Sequence, residues 1–132
     1  MAEAKQSDAM WAGVLSWAVP GVGHWYLGDR ARAWVFFVTI TVTYAIGLYI
    51  GGFKSTVNLQ TNTAWFFGQI FAGGPTVLSL ILGALPNAQA SYSKTLDLAT
   101  IYTGVAGLLN IFVIFDALNR ATWRGSKNGE SK

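Results

Sequence analysis

The 132-residue sequence contains no cysteine, only three prolines and a single histidine, His24. The absence of cysteine excludes disulfide bonds, thiol catalysis and cysteine-ligated metal ions. A lone histidine without cysteine or a nearby carboxylate cluster cannot build a zinc site from protein ligands alone. Charged residues make up only 11% of the chain, against about 25% in an average soluble domain. The sequence therefore predicts no metal site and no cofactor. The low share of charged residues also predicts that part of the surface is not in contact with water.

Hydrophobic residues supply 52% of the chain. So short a polypeptide cannot bury that much apolar surface within itself, because small domains have a large surface for their volume. The formal charge of +3 does not indicate nucleic-acid binding, since the lysines and arginines lie in tails and loops and form no basic face. The N-terminus lacks the small-residue cleavage site of a secretory signal. We therefore expect an integral membrane protein in contact with the lipid bilayer.

Four apolar segments follow one another along the chain, at residues 10–27, 33–53, 64–85 and 96–118. The shortest would span about 27 Å as an unbroken helix, close to the ~30 Å hydrocarbon core of a bilayer. Only helices and closed barrels satisfy their backbone groups in lipid. The sequence predicts an all-α membrane protein with a single domain, residues 1–132, four helical segments, and flexible tails at residues 1–8 and 125–132.

Proline and glycine interrupt the first and third segments, at Pro20–Gly23 and at Gly73–Pro75. Proline removes a backbone N–H and glycine does not hold helical angles, so a helix ends or kinks at such a run. We expect the first segment to be kinked or re-entrant there, and the same signal allows this for the third segment.

A glycine-rich and charged corner joins the first two segments. It contains Pro20, Gly21, Gly23, His24, Tyr26, Gly28, Asp29, Arg30 and Arg32. This run, followed by an apolar helix, resembles the two-transmembrane-helix domain, which has a glycine-rich turn, a Tyr-Leu-Gly stretch and a basic corner between its helices. It is more closely similar to an uncharacterised family of small bacterial membrane proteins that carry a PG-x-GH-x-YLG motif. The resemblance covers roughly residues 10–53 and implies a helical hairpin in the bacterial inner membrane, without implying a reaction.

Lysine and arginine counts set the expected orientation. If all four segments cross, six of these residues lie on the side of the termini and three on the other side, so the positive-inside bias places both termini in the cytoplasm. If the first segment is re-entrant and the others cross, the counts become four and five, which favours neither orientation. We predict the four-span topology with cytoplasmic termini.

The corner holds the group that most resembles a site: His24, Tyr26, Asp29 and Arg30. A histidine beside an Asp–Arg pair could shuttle protons. The structural alternative is that His24 and Tyr26 hydrogen-bond the backbone carbonyls freed by Pro20, while the Asp–Arg pair holds a tight corner at the membrane interface. We favour the structural interpretation.

Three polar residues fall inside the later segments: Gln69, Asn110 and Asp116. Asp116 lies four residues before Arg120, so the two share a helix face and can form a salt bridge. Asn110 and Gln69 lie deeper, where an interhelical hydrogen bond is the favoured role and contact with a substrate is the alternative.

No complete catalytic set accompanies these residues, because the serines lack partners that would activate them. Small residues such as Gly47 and Gly51 form a face on which another helix could pack closely. We predict a non-catalytic structural or accessory subunit, not an enzyme, that packs against itself or against a larger membrane partner. The alternative is a small transporter or channel with broken helices at Pro20 and Pro75, since matching breaks in two halves of a chain mark transport sites.

Overall fold

The computed structural model describes residues 2–52, 63–85 and 95–130, and every regular element in these ranges is an α-helix. The helices of the described ranges are α1 (Ala2–Ala18), α2 (Val22–Tyr26), α3 (Arg30–Gly51), α4 (Thr63–Ile70), α5 (Gly74–Gly83) and α6 (Thr95–Glu130). The prediction of an all-α fold is confirmed. The flexibility predicted for residues 1–8 and 125–132 stays a prediction.

The longest helices, α3 and α6, lie antiparallel. Gly47, near the end of α3, faces Ala99 and Thr103 near the start of α6, so closely that a β-carbon on Gly47 would lie 2.7 Å from the Thr103 side chain. At the other end of the pair, Arg32 of α3 lies 3.8 Å from Asp116 of α6. The small-residue face at Gly47, which the sequence offered to a partner, is therefore occupied by a helix of the same chain.

Two helical stretches, Arg30–Gly51 and Asp97–Trp123, are long and apolar enough to cross a membrane, with mean hydropathies of 1.8 and 2.0. Their most apolar windows are only 22% and 44% buried inside the molecule. Most of their surface is therefore exposed and apolar, which is the surface that a helix presents to lipid.

Helix α1 packs along the second half of α6. Ala12 and Ala117 belong to a buried cluster of alanines between the two helices. One turn after Ala12, the carbonyl of Ser16 accepts a hydrogen bond from Asn110. Asn110 lies midway between Asp97 and Trp123, so α1 ends beside the centre of the apolar part of α6.

After α1 the chain turns back. Pro20 lies between α1 and α2. Gly21, which follows it, has a φ of +86°, a left-handed conformation that residues with a β-carbon disfavour. His24, on α2, then contacts Asp116, six residues farther along α6 than Asn110. Helix α2 therefore returns toward the end of α6 from which α1 came, and α3 starts at that end.

Helix α4 lies along the first half of α6 and runs in the same direction. The carbonyl of Gly68 lies so close to Gly107 that a β-carbon on Gly107 would overlap it. Three residues after Gly68, the Phe71 carbonyl accepts a hydrogen bond from Asn110 at 2.8 Å. Helix α4 therefore also ends beside the centre of α6.

A second break separates α4 from α5, where Gly73 has a φ of +65°. The Thr76 hydroxyl donates to the backbone carbonyl of Gln69 in α4. The same hydroxyl oxygen accepts a hydrogen bond from the Tyr44 hydroxyl of α3 at 3.1 Å. These bonds fix the start of α5 against α4 and α3.

The two breaks contact each other. The indole Nε1 of Trp17 donates to the Ile70 carbonyl at 3.1 Å. A β-carbon on Gly73 would overlap the carbonyl oxygen of Trp17, and one on Gly74 would overlap that of Ala18. The first hairpin (α1 and α2) and the second hairpin (α4 and α5) thus approach from opposite ends of α6 and meet at its centre.

Candidate functional site

A cluster of charged and titratable side chains ties the corner to α6. Its members are His24, Asp29, Arg32, Asp116 and Arg120, together called the Asp116 cluster. His24 is fully buried, and its Nε2 lies 2.8 Å from Oδ2 of Asp116. The Phe36 ring packs edge-on against the imidazole, with ring centroids 4.9 Å apart. The histidine is therefore held between a carboxylate and an aromatic ring.

The two arginines bridge the two carboxylates. Arg120 donates from Nε to Asp116 Oδ2 at 3.0 Å and from Nη1 to Asp29 Oδ2 at 3.3 Å. Arg32 Nε lies 3.3 Å from the same Asp29 oxygen. Two guanidinium groups thus balance two carboxylates, and the network joins the start of α3 to α6. The salt bridge predicted between Asp116 and Arg120 is present.

The structure corrects the partners expected within the corner. His24 contacts a carboxylate instead of a freed carbonyl, and the Tyr26 hydroxyl donates to Asp8 Oδ1 at 3.4 Å. Asp29 pairs with arginines 32 and 120, whereas Arg30 is exposed and forms no ion pair among the described residues. The His24–Asp116 contact joins residues 92 positions apart, and the sequence did not predict it. The available signal was that a lone histidine and a carboxylate in apolar segments each need a polar partner.

The place where the hairpins meet, here called the junction, is organised by Asn110. Its Nδ2 donates to the Ser16 carbonyl at 3.1 Å and to the Phe71 carbonyl at 2.8 Å. Both acceptors lie where a helix ends, and the last carbonyls of a helix have no partner within it. Asn110 is fully buried. One amide thus serves the ends of two helices at once, which is a contact between helices of the kind the sequence favoured.

Gln69 also links helices. Its Nε2 donates to the Thr103 hydroxyl of α6 at 2.6 Å, and its backbone carbonyl accepts from Thr76 of α5. The side chains of Gln69, Thr103 and Thr76 are all buried. Polar groups of the second hairpin are therefore directed at other parts of the same chain.

Four buried polar atoms have no hydrogen-bond partner within the described residues: Ser16 Oγ, Asn110 Oδ1, His24 Nδ1 and Thr41 Oγ1. Two of these atoms belong to residues of the junction and one to the Asp116 cluster. Buried polar atoms of this kind are places where a small polar ligand or a water can bind, because each unmet hydrogen bond costs free energy.

The glycines of the corner allow close contacts. A β-carbon on Gly23 would overlap the Ala12 carbonyl and the Ser16 hydroxyl, and one on Gly21 would overlap the Ala33 carbonyl. Gly28 has a φ of +82°. The glycine pattern therefore brings α2 against α1 and α3, which places His24 on Asp116.

Among the described residues, no group of three or more His, Cys, Asp or Glu side chains is placed to hold a metal ion. The Asp116 cluster contains a buried histidine beside a carboxylate, but two arginines compensate its carboxylates. In chemical terms the cluster can hold helices together, accept a hydrogen bond at Asp116 Oδ1, or exchange a proton at His24.

Comparison with known proteins finds a matching family. The model of a family described as a family of unknown function, DUF6677, matches residues 11–128. No curated protein and no solved structure matches the chain. The matched range contains every member of the Asp116 cluster and of the junction.

Proposed function

The chain belongs to the DUF6677 family, and we propose that it is a small non-catalytic integral membrane protein that serves as a structural or accessory subunit. In this proposal α3 and α6 cross the bilayer, and the two hairpins each enter it from one side and return. The predicted segments 10–27 and 64–85 are then re-entrant, so the chain has two full spans instead of four.

The contacts of the hairpins support this topology. The first hairpin reaches Asn110 and returns to the level of Asp116, and the second also reaches Asn110. Broken helices are tolerated at membrane depth where protein satisfies the freed backbone groups. Asn110 and Trp17 do so at the junction.

The distribution of positive charge also supports it. With both hairpins re-entrant, seven of the nine lysines and arginines share the side of the termini: Lys5, Arg30, Arg32, Arg120, Arg124, Lys127 and Lys132. Only Lys54 and Lys94 lie on the other side. This asymmetry exceeds that of the four-span topology, in which six lysines and arginines lie on one side and three on the other. In a bacterial inner membrane, the positive-inside bias then favours the cytoplasmic side for both termini.

The use of the polar groups supports a non-catalytic role. Most polar contacts of the junction and of the Asp116 cluster run to backbone carbonyls or to compensating charges of the same chain. Outward-facing residues of α3 are large and apolar, with Val42 50% exposed and Tyr49 92% exposed. This surface, and not the Gly47 face, is the one available to a second copy or a larger partner.

Crosslinking tests the subunit role. A cysteine at Val42, in a chain that has no other cysteine, should form crosslinks with a second copy or with a co-purifying protein in native membranes. The matched control is a cysteine at Ile40, which is 2% exposed on the same helix and should not react. A strictly monomeric protein that crosslinks to nothing from any exposed position of α3 would contradict the proposal.

The second candidate is a small transporter or channel with broken helices at Pro20 and Pro75. It is favoured by two hairpins of opposite direction that meet at one buried polar residue, an arrangement that resembles inverted repeats around a midplane site. The unpartnered Ser16 Oγ and Asn110 Oδ1 would be ligands there. Solute or ion flux into proteoliposomes that is lost in Asn110→Leu but retained in Asn119→Leu would favour this candidate over the subunit role.

A further inference from the structure

A groove runs between α3 and α6 on the outward side of the pair, with a volume of about 370 Å³. Its walls are largely apolar and include Val35, Phe36, Leu109 and Phe112. Among the described residues, Asp116 is the one that lines it with a charge. The groove is open to the surroundings, because Val35 is 62% and Phe112 72% exposed. Its volume lies at the lower end of the range of roughly 300–1,000 Å³ for ligand pockets, which suits one extended hydrocarbon chain.

Asp116 presents an unused oxygen at the polar end of this groove. Its contacts with His24, Arg32 and Arg120 all involve Oδ2. Its side chain is 36% exposed. Oδ1 can therefore accept a hydrogen bond from a donor that lies in the groove.

The charge around Asp116 selects the kind of partner. Two carboxylates and two guanidinium groups balance in the cluster, so there is no excess of positive charge to favour an anionic headgroup. Arg32, 3.8 Å from Asp116, is itself half exposed. A carboxylate beside an exposed guanidinium is complementary to a headgroup that carries an ammonium and a phosphate.

We propose that the groove binds a zwitterionic phospholipid with an ethanolamine headgroup. The ammonium donates to Asp116 Oδ1, the phosphate accepts from Arg32, and one acyl chain lies along Phe36 and Phe112. A primary ammonium fits better than a quaternary choline, because only the former has N–H groups to donate to the carboxylate. This inference rests on the membrane placement proposed above, but not on the subunit role.

Native mass spectrometry of the full chain in detergent micelles tests the site. The protein is offered equal amounts of phosphatidylethanolamine, phosphatidylcholine and phosphatidylglycerol with identical acyl chains. We expect ethanolamine lipid to be retained about tenfold over the other two, since a hydrogen bond to a charged group is worth one to two factors of ten in binding. Asp116→Asn should abolish the preference, and the control Asp97→Asn, at an exposed carboxylate of the same helix, should not change it.

Two further variants separate lipid binding from folding. Phe112→Trp narrows the groove without touching the Asp116 cluster, and should lower retention severalfold at an unchanged unfolding midpoint. Arg32→Gln should lower retention, and Arg30→Gln should not. Three results would contradict the proposed lipid site. They are equal retention of the three lipids, a preference for phosphatidylglycerol, and a groove that a second copy of the chain closes whichever lipid is present. A protein that stays monodisperse without detergent would instead overturn the membrane placement itself.

Discussion

Replacement of Asn110 by leucine tests whether the junction holds the two hairpins together. Leucine resembles asparagine in size but has no donor for the Ser16 and Phe71 carbonyls, which lie 3.1 and 2.8 Å from Nδ2. Each buried acceptor left unpaired costs about 1–3 kcal/mol, so the two together cost about 2–6 kcal/mol. Loss of the unpartnered Asn110 Oδ1 returns about 1–3 kcal/mol.

The expected net effect is smaller than the loss of two hydrogen bonds in a dry core. Interhelical hydrogen bonds in membrane proteins average about 0.6 kcal/mol, because the unfolded state in the membrane also finds partners. We therefore expect Asn110→Leu to lower the free energy of unfolding by about 1–3 kcal/mol. Asn110→Asp should lose at least as much, since it retains the size and the oxygen but removes the donor.

The assay is unfolding in mixed micelles with increasing SDS, followed by tryptophan fluorescence. Asn119→Leu is the matched control, because Asn119 is exposed on the same helix and should change the midpoint little. An Asn110→Leu protein as stable as the parent would show that the junction does not depend on the bonds to the two helix ends.

Two other predictions use the same assay. Gly73→Ala should be strongly destabilising, because Gly73 has a φ of +65° and a β-carbon there would overlap the Trp17 carbonyl. The control Gly68→Ala should be tolerated, because its β-carbon would meet nothing closer than 3.5 Å. Equal effects of the two substitutions would show that the breaks do not pack as described. A double-mutant cycle of His24→Ala and Asp116→Ala should give a coupling energy of about 1–3 kcal/mol, because Asp116→Ala leaves the buried His24 Nε2 without its partner. Additive effects would mean that their contact does not contribute to stability.

The positions at which helices are interrupted could be predicted from the sequence. The direction in which the chain continues after each interruption could not. Pro20 and the Gly73–Pro75 run forecast interruptions because their backbone chemistry is local. Hydropathy, however, is the same for a segment that crosses the bilayer and for one that enters and returns. Charge counts that allow both segments to return would have favoured the proposed topology, because they give seven against two.

The candidate site was predictable only in part. The pairing of Asp116 with Arg120 follows from their spacing on one helix. The pairing of His24 with Asp116 depends on how the corner folds back on α6, and no local pattern contains that contact. Gly47 illustrates the same limit: its small size correctly indicates a close helix contact, but sequence does not say whether the other helix belongs to the same chain.

Site-directed labelling with a membrane-impermeant maleimide tests the re-entrant topology most directly, because the chain has no cysteine of its own. Single cysteines at Lys5, Ala31 and Lys127 should all react from the cytoplasmic side, in inverted vesicles but not in intact spheroplasts. Cysteines at Lys54 and Lys94 should both react from the opposite side. Labelling of Ala31 and Lys94 on one side, with Lys5, Lys54 and Lys127 on the other, would show four full spans and contradict the account.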